Sequence, residues 1–111
     1  MNGMGQPFSF FFDERLEVTR PLLHVEYESM PTEVRHQFEL KCQQICATIP
    51  EKLKEWERRY LERFEALNQA EDEAEFDRLW EEMDRISSRI ADLNLLYLHI
   101  EGKNLGANVF A

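Results

Sequence analysis

Two residues near the start of a predicted helix have the spacing of a metal-binding motif. Glu33 and His36 match the Glu-x-x-His pattern, in which one helix supplies a carboxylate and an imidazole to a di-metal site. Such a site needs a second motif of the same kind and two further inward-facing glutamates, and the sequence supplies neither. We therefore interpret Glu33 and His36 as solvent-exposed and expect no metal or other cofactor. A carboxylate metal-binding protein stays an alternative function.

Two cysteines and two histidines are the other residues that could bind a metal or act in catalysis. Cys42 and Cys46 lie four residues apart and could form a redox pair or half a zinc site. A zinc site needs two more ligands, and no compact Cys/His cluster provides them. Cysteine often packs as a small apolar residue, which is our interpretation here. His24 and His99 lack a Ser, Cys or Asp partner at a catalytic spacing. We expect a protein that is not an enzyme.

The elements that position these residues are mainly helices. The clearest prediction is a long C-terminal helix that ends near Glu101, before the stop signal Gly102. Its apolar residues recur at alternating steps of three and four, a heptad pattern typical of a helix that packs lengthwise on another. They are Phe76, Leu79, Met83, Ile86, Ile90, Leu93, Tyr97 and Ile100.

Two shorter helices are predicted before it, with a boundary at Pro50. Proline lacks a backbone N–H and ends or kinks a helix, and Thr48 and Glu51 have the spacing of a capping box for the second helix. The apolar stripe of the first helix is Val34, Phe38, Cys42, Ile45 and Ile49, and that of the second is Leu53, Trp56, Tyr60, Phe64 and Leu67.

The apolar pattern changes phase between Leu67 and Phe76, which would lie on opposite sides of one continuous helix. We therefore expect a turn near residues 68–72, with Asp72 and Glu75 capping the last helix. One long helix across this gap is the competing interpretation.

The N-terminal thirty residues differ in composition. Phe8, Phe10, Phe11 and Phe12 fall within five positions, and Pro21 blocks a helix. The alternating pattern indicates extended segments or a short hairpin. Four large aromatic side chains are costly to leave in water, so we expect them to pack on the apolar end of the last helix or on a partner.

The predicted fold class is thus mainly α. An antiparallel helical hairpin with a long C-terminal helix carries a third helix packed on it and an extended N-terminal arm. The predicted divisions are the arm over residues 1–30, a helical bundle domain over 31–101 and a flexible tail over 102–111.

The net charge of the chain limits the classes of partner that it is expected to bind. With 13 basic and 22 acidic residues the net charge is −9, which argues against direct binding of nucleic acid or acidic membranes. The sequence has no export signal and no apolar run long enough to span a bilayer. Two cysteines without an export signal indicate reduced thiols, so we expect a cytoplasmic protein.

Acidic residues concentrate between positions 71 and 84, where only Arg78 opposes eight carboxylates. Acids at the start of a helix complement its dipole, and the rest can simply form a solvated face. The sharper hypothesis is a surface that binds a basic partner, as in an inhibitor that mimics nucleic acid. Its candidate residues are Glu73, Asp77, Glu81, Glu82 and Asp84.

Three leucines make the end of the last helix apolar nearly all round. Leu95 and Leu98 fall at heptad positions that should face water, and Leu96 widens the apolar surface. We therefore predict a small non-catalytic adaptor or regulator that binds protein and forms a homodimer through this helix. Its apolar partner-binding residues are Phe8, Phe10, Phe11, Phe12, Leu95, Leu96 and Leu98.

Overall fold

The computed structural model describes residues 6–104 and the side chains of residues 6–101. A β-hairpin of β1 (Phe8–Asp13) and β2 (Val18–Leu23) comes first. A single 3-10 turn (Tyr27–Ser29) leads to two long helices, α1 (Thr32–Asn68) and α2 (Glu73–Asn104). The helices pack along each other, and the hairpin lies against them, with β2 on α1.

The prediction of three helices is wrong, because α1 is a single helix of 37 residues that passes through Pro50. The physical reason is visible in the stripe, since Ile49, Leu53 and Trp56 keep the three-and-four spacing across the proline. Both halves of α1 therefore present one face to the core. Their burial outweighs a cost of about 3 kcal/mol for a proline in a helix interior.

The capping role predicted for Thr48 is also wrong. Its hydroxyl donates to the Ile45 carbonyl at 2.7 Å, one turn back inside the helix. Proline removes the N–H that would reach the Cys46 carbonyl, so α1 crosses this point with one fewer ladder bond.

The predicted turn at residues 68–72 is present. The Glu75 N–H donates to the Asp72 carboxylate at 2.8 Å, which caps α2 as the sequence indicated. At the other end α2 continues through Gly102 to Asn104, so the predicted stop is wrong by three residues. The rest of the predicted flexible tail, residues 105–111, lies outside the described residues.

The hairpin confirms the extended interpretation of the N-terminal segment. Its strands pair antiparallel, with Phe8 opposite Leu23 and Phe10 opposite Pro21. In the loop the Asp13 carboxylate accepts from the Leu16 N–H at 3.0 Å. Glu17 then adopts φ 64°, a left-handed conformation that no other non-glycine residue in the described part of the chain shares.

One core joins the hairpin to both helices. Its buried members include Leu16 and Val18 of the hairpin, Phe38, Ile49 and Trp56 of α1, and Leu93, Leu96 and Ile100 of α2. A smaller cluster of Leu67, Leu79 and Met83 lies beside the helical turn. The predicted stripe of α2 faces these clusters except for Phe76, which is exposed in the first turns of the helix.

Candidate partner-binding surfaces

A groove runs between β2 and the C-terminal half of α2, and we call it the leucine groove. Leu95 and Leu98 are 63% and 68% exposed on α2, and the exposed Leu22 lies on β2. Arg20 and His99 line the groove along its length, and the buried Leu96 lines it as well. The result is an apolar surface that no described part of the chain covers.

Two charged groups that line the groove, Arg20 and Asp92, are already in ion pairs. The Arg20 guanidinium contacts the Asp13 carboxylate at 3.0 Å, and Arg15 contacts Asp92 at 2.8 Å. Burial opposes ionisation of Asp13, but the Leu16 N–H and Arg20 outweigh it and lower the pKa of that carboxyl. The exposed leucines and His99 are therefore the groups of the lining that remain available for binding.

The three C-terminal leucines do not share one environment. Leu95 and Leu98 face water, as their heptad positions predict, whereas Leu96 is buried in the core with Leu93 and Ile100. Leu96 stabilises the fold and can contribute only its remaining edge to the groove. Heptad spacing predicts that Leu95 and Leu98 are exposed, but it does not predict the burial of Leu96, because it does not show where the hairpin lies.

The four N-terminal phenylalanines divide in a similar way. Phe8 and Phe10 pack on Phe38 of α1, with ring centroids 5.0 and 6.2 Å away. Phe11 and Phe12 stay 46% and 59% exposed. The arm therefore packs chiefly on α1 rather than on the leucines at the end of α2, and two of its four phenylalanines stay exposed.

Glu82 differs from the other four residues of the predicted acidic surface. Glu82 is half-buried and contacts Arg63 at 3.2 Å and Arg78 at 2.9 Å. Burial raises the pKa of Glu82, but these two arginines outweigh the effect and lower it. Glu82 therefore links α1 to α2, while the other four candidates, Glu73, Asp77, Glu81 and Asp84, are exposed.

Phe76 and Trp80 form an exposed aromatic pair among these acids. Their rings are nearly parallel, with centroids 6.2 Å apart, and Trp80 is 58% exposed. Sequence reasoning missed this pair because Phe76 was placed on the buried stripe. The sequence signal that could have revealed the pair was Trp80, a large aromatic residue outside the apolar stripe of α2 with acidic neighbours. We call Phe76, Trp80, Asp77, Glu81 and Asp84 the aromatic–acidic surface.

The candidates for metal binding and redox chemistry, Glu33, His36, Cys42 and Cys46, all lie on α1. Glu33 and His36 are exposed on α1, and within residues 6–104 no three His, Cys, Asp or Glu side chains are grouped to hold a metal. Cys42 is buried in the core, as interpreted. Burial, with the nearby Glu101 carboxylate, raises the pKa of the Cys46 thiol and so makes its reactive thiolate less abundant.

No helix within the described residues has both the length and the apolar character needed to cross a membrane.

Comparison with known proteins does not assign the chain to a family. No protein-family model, curated protein or solved structure matches the chain.

Proposed function

We propose that the chain is a non-catalytic protein-binding module, an adaptor or regulator that docks an apolar segment of a partner in the leucine groove. The observation that carries this proposal is the exposure of Leu95 and Leu98 on α2. Both lie outside the apolar stripe of this helix, most of which is buried in the core. Protein interfaces combine an apolar centre with a polar rim. The arginine–carboxylate pairs of Arg20 and Arg15 supply such a rim.

The shape of the groove favours an amphipathic helix as the docked segment. Leu95 and Leu98 lie about one helical turn apart on one wall, and Leu22 lies on the strand that forms the other. Helices bind such grooves through apolar residues at spacings of three and four.

Affinity capture from the native host, followed by mass spectrometry, tests the proposal. The two baits to be compared are the parent protein and the double variant Leu95→Ser/Leu98→Ser. The matched control is Leu40→Ser/Leu61→Ser, which alters two exposed leucines on α1. We expect a protein that the parent and the control retain and the groove variant loses. Equal recovery by all three baits contradicts the proposal.

The aromatic–acidic surface favours a second candidate, an inhibitor of a basic nucleic-acid-binding protein. Aromatic faces such as Trp80 attract Lys and Arg side chains, and the adjacent Asp77, Glu81 and Asp84 add opposite charge. Binding through this surface should weaken steeply with added salt, whereas docking in the leucine groove should not. Trp80→Ala should weaken such a complex, and Leu98→Ser should leave it intact.

Two finer predictions belong with this proposal. A cytoplasmic location still rests on the two cysteines, which form no disulfide with each other. The other is the homodimer through the last helix. Because α1 has 37 residues and α2 has 32, α1 is long enough to run beside all of α2, and such a dimer would depend on the exposed Leu95 and Leu98.

A further inference from the structure

We propose that the outer edge of β1 pairs antiparallel with β1 of a second copy, which joins two hairpins into one four-stranded sheet. This interface uses a surface apart from the leucine groove and does not depend on the function proposed above.

The register shows which backbone groups of β1 point outward. The His24 N–H donates to the Pro7 carbonyl at 2.8 Å, which extends the ladder by one bonded pair. Bonded and non-bonded pairs alternate along antiparallel strands. Ser9, Phe11 and Asp13 therefore bond to β2, whereas the N–H and C=O groups of Phe8, Phe10 and Phe12 face away from it.

These outward groups have no backbone partner within residues 6–104. None of the backbone hydrogen bonds outside the ladder involves Phe8, Phe10 or Phe12. Side-chain hydrogen bonds in the described part of the chain do not reach them either: Ser9, for example, bonds to the His24 ring. β1 thus presents an open edge that can accept another strand.

The two edges of the hairpin are not equivalent. Pro21 lies opposite Phe10 in a non-bonded pair, so its nitrogen occupies the outer edge of β2, where proline removes a donor. β2 also lies against α1. Natural edge strands are usually protected by charges, prolines or bulges. Residues 8–12 of β1 contain no charged residue and no proline.

Self-pairing satisfies the open edge completely. With the two-fold axis at Phe10, Phe8 lies opposite the partner's Phe12, and Phe10 lies opposite the partner's Phe10. Each outward-facing residue then belongs to a bonded pair that exchanges two hydrogen bonds. The same register places the exposed ring of Phe12 beside the partner's Phe8, and aromatic cross-strand pairs of this kind stabilise sheets. A second copy therefore fits the edge through its own symmetry.

The charge distribution permits this contact despite the net charge of −9. The acidic residues concentrate in the first turns of α2, next to the helical turn. Phe8 and Phe10 instead pack on Phe38, near the opposite end of a molecule 60 Å long. Asp13, the acidic residue at the end of β1, is paired with Arg20. Charges so far apart are screened, because the Debye length is about 8 Å at physiological ionic strength.

Amide hydrogen exchange at low and high protein concentration tests the pairing residue by residue. We expect the amides of Phe8, Phe10 and Phe12 to exchange at least about tenfold more slowly at high concentration. Those of Ser9, Phe11 and Asp13 bond within the hairpin and serve as internal controls. Fast exchange of the three outward amides at every concentration, with a monomeric mass by sedimentation, overturns the proposal.

A pair of lysine variants locates the interface. Phe12→Lys adds a charge to the exposed edge and should raise the dimer dissociation constant at least about tenfold. Leu98→Lys makes the same kind of change at an exposed position on α2 and should leave the dimer intact. Both should melt near the parent temperature, since both side chains are exposed. The reverse result, dissociation by Leu98→Lys alone, places the interface on α2 and refutes edge pairing.

Discussion

The indole Nε1 of Trp56 donates a hydrogen bond to the Leu16 carbonyl at 3.3 Å, although the two residues are forty positions apart. Both residues are buried. The Arg59 and Arg89 guanidinium carbons lie 4.3 and 5.1 Å from the centroid of the indole ring. The contact fastens the hairpin loop to the middle of α1 and so sets where the two strands lie on the helices.

Trp56→Phe should destabilise the protein by about 1–3 kcal/mol. The smaller ring keeps most of the apolar contact, but the Leu16 carbonyl loses its indole donor in a buried position. Trp80→Phe is the matched control, because Trp80 is exposed, and it should change stability by less than about 0.5 kcal/mol. Denaturant unfolding measures both. Equal stability of the two variants would show that the contact contributes nothing.

Leu93→Ala should cost about 2–5 kcal/mol, because Leu93 is fully buried between the hairpin and the helices. Leu98→Ala, five residues later on the same helix, should cost within about 0.5 kcal/mol because its side chain faces water. Thermal melts of the two variants give the comparison. A large loss for Leu98→Ala would mean that another part of the chain covers the leucine groove.

Pro50→Ala should stabilise the protein by about 1–3 kcal/mol. Alanine restores the N–H that can reach the Cys46 carbonyl and removes the ring that crowds the preceding turn. Pro50 is itself exposed, so little packing is lost. Unfolding midpoints of parent and variant measure the change. A destabilised variant would indicate that α1 needs the local geometry of proline to follow α2.

Glu17 should contribute to the acid sensitivity of the fold. Its carboxylate contacts Arg59 and Lys52, each at 3.3 Å. The hydrogen bond from Arg59 outweighs burial and, with Lys52, lowers the pKa of Glu17 below its ordinary value of 4.5. A lowered folded-state pKa means that the ionised form stabilises the fold above pH 4.5 and that this contribution is lost as the pH falls further.

Unfolding measured between pH 6 and pH 3 checks this sign. Glu17→Gln should be less stable than the parent near neutral pH, and the difference should shrink as the solution becomes acidic. Glu81→Gln, at an exposed position on α2, corrects for the change in net charge. A constant difference across the range would show that the ion pairs of Glu17 do not contribute.

Local chemistry determined much of this fold. The three-and-four spacing from Leu79 to Ile100 predicts the buried stripe of α2, because a helix repeats every 3.6 residues. The cap from Asp72 to Glu75 spans three positions and needs no distant contact. Alternation in the first segment likewise indicates strands.

Only the tertiary structure decided the features that depend on distant contacts. Local propensity places a boundary at Pro50, but the burial of Ile49 and Trp56 against α2 and the hairpin carries α1 through it. The same long-range packing buries Leu96 and leaves Leu95 exposed, and it sets the rings of Phe8 and Phe10 on Phe38 of α1 while Phe11 and Phe12 stay exposed. The sequence therefore determined which residues are apolar and how they repeat, while packing between distant segments determined which of them remain open to a partner.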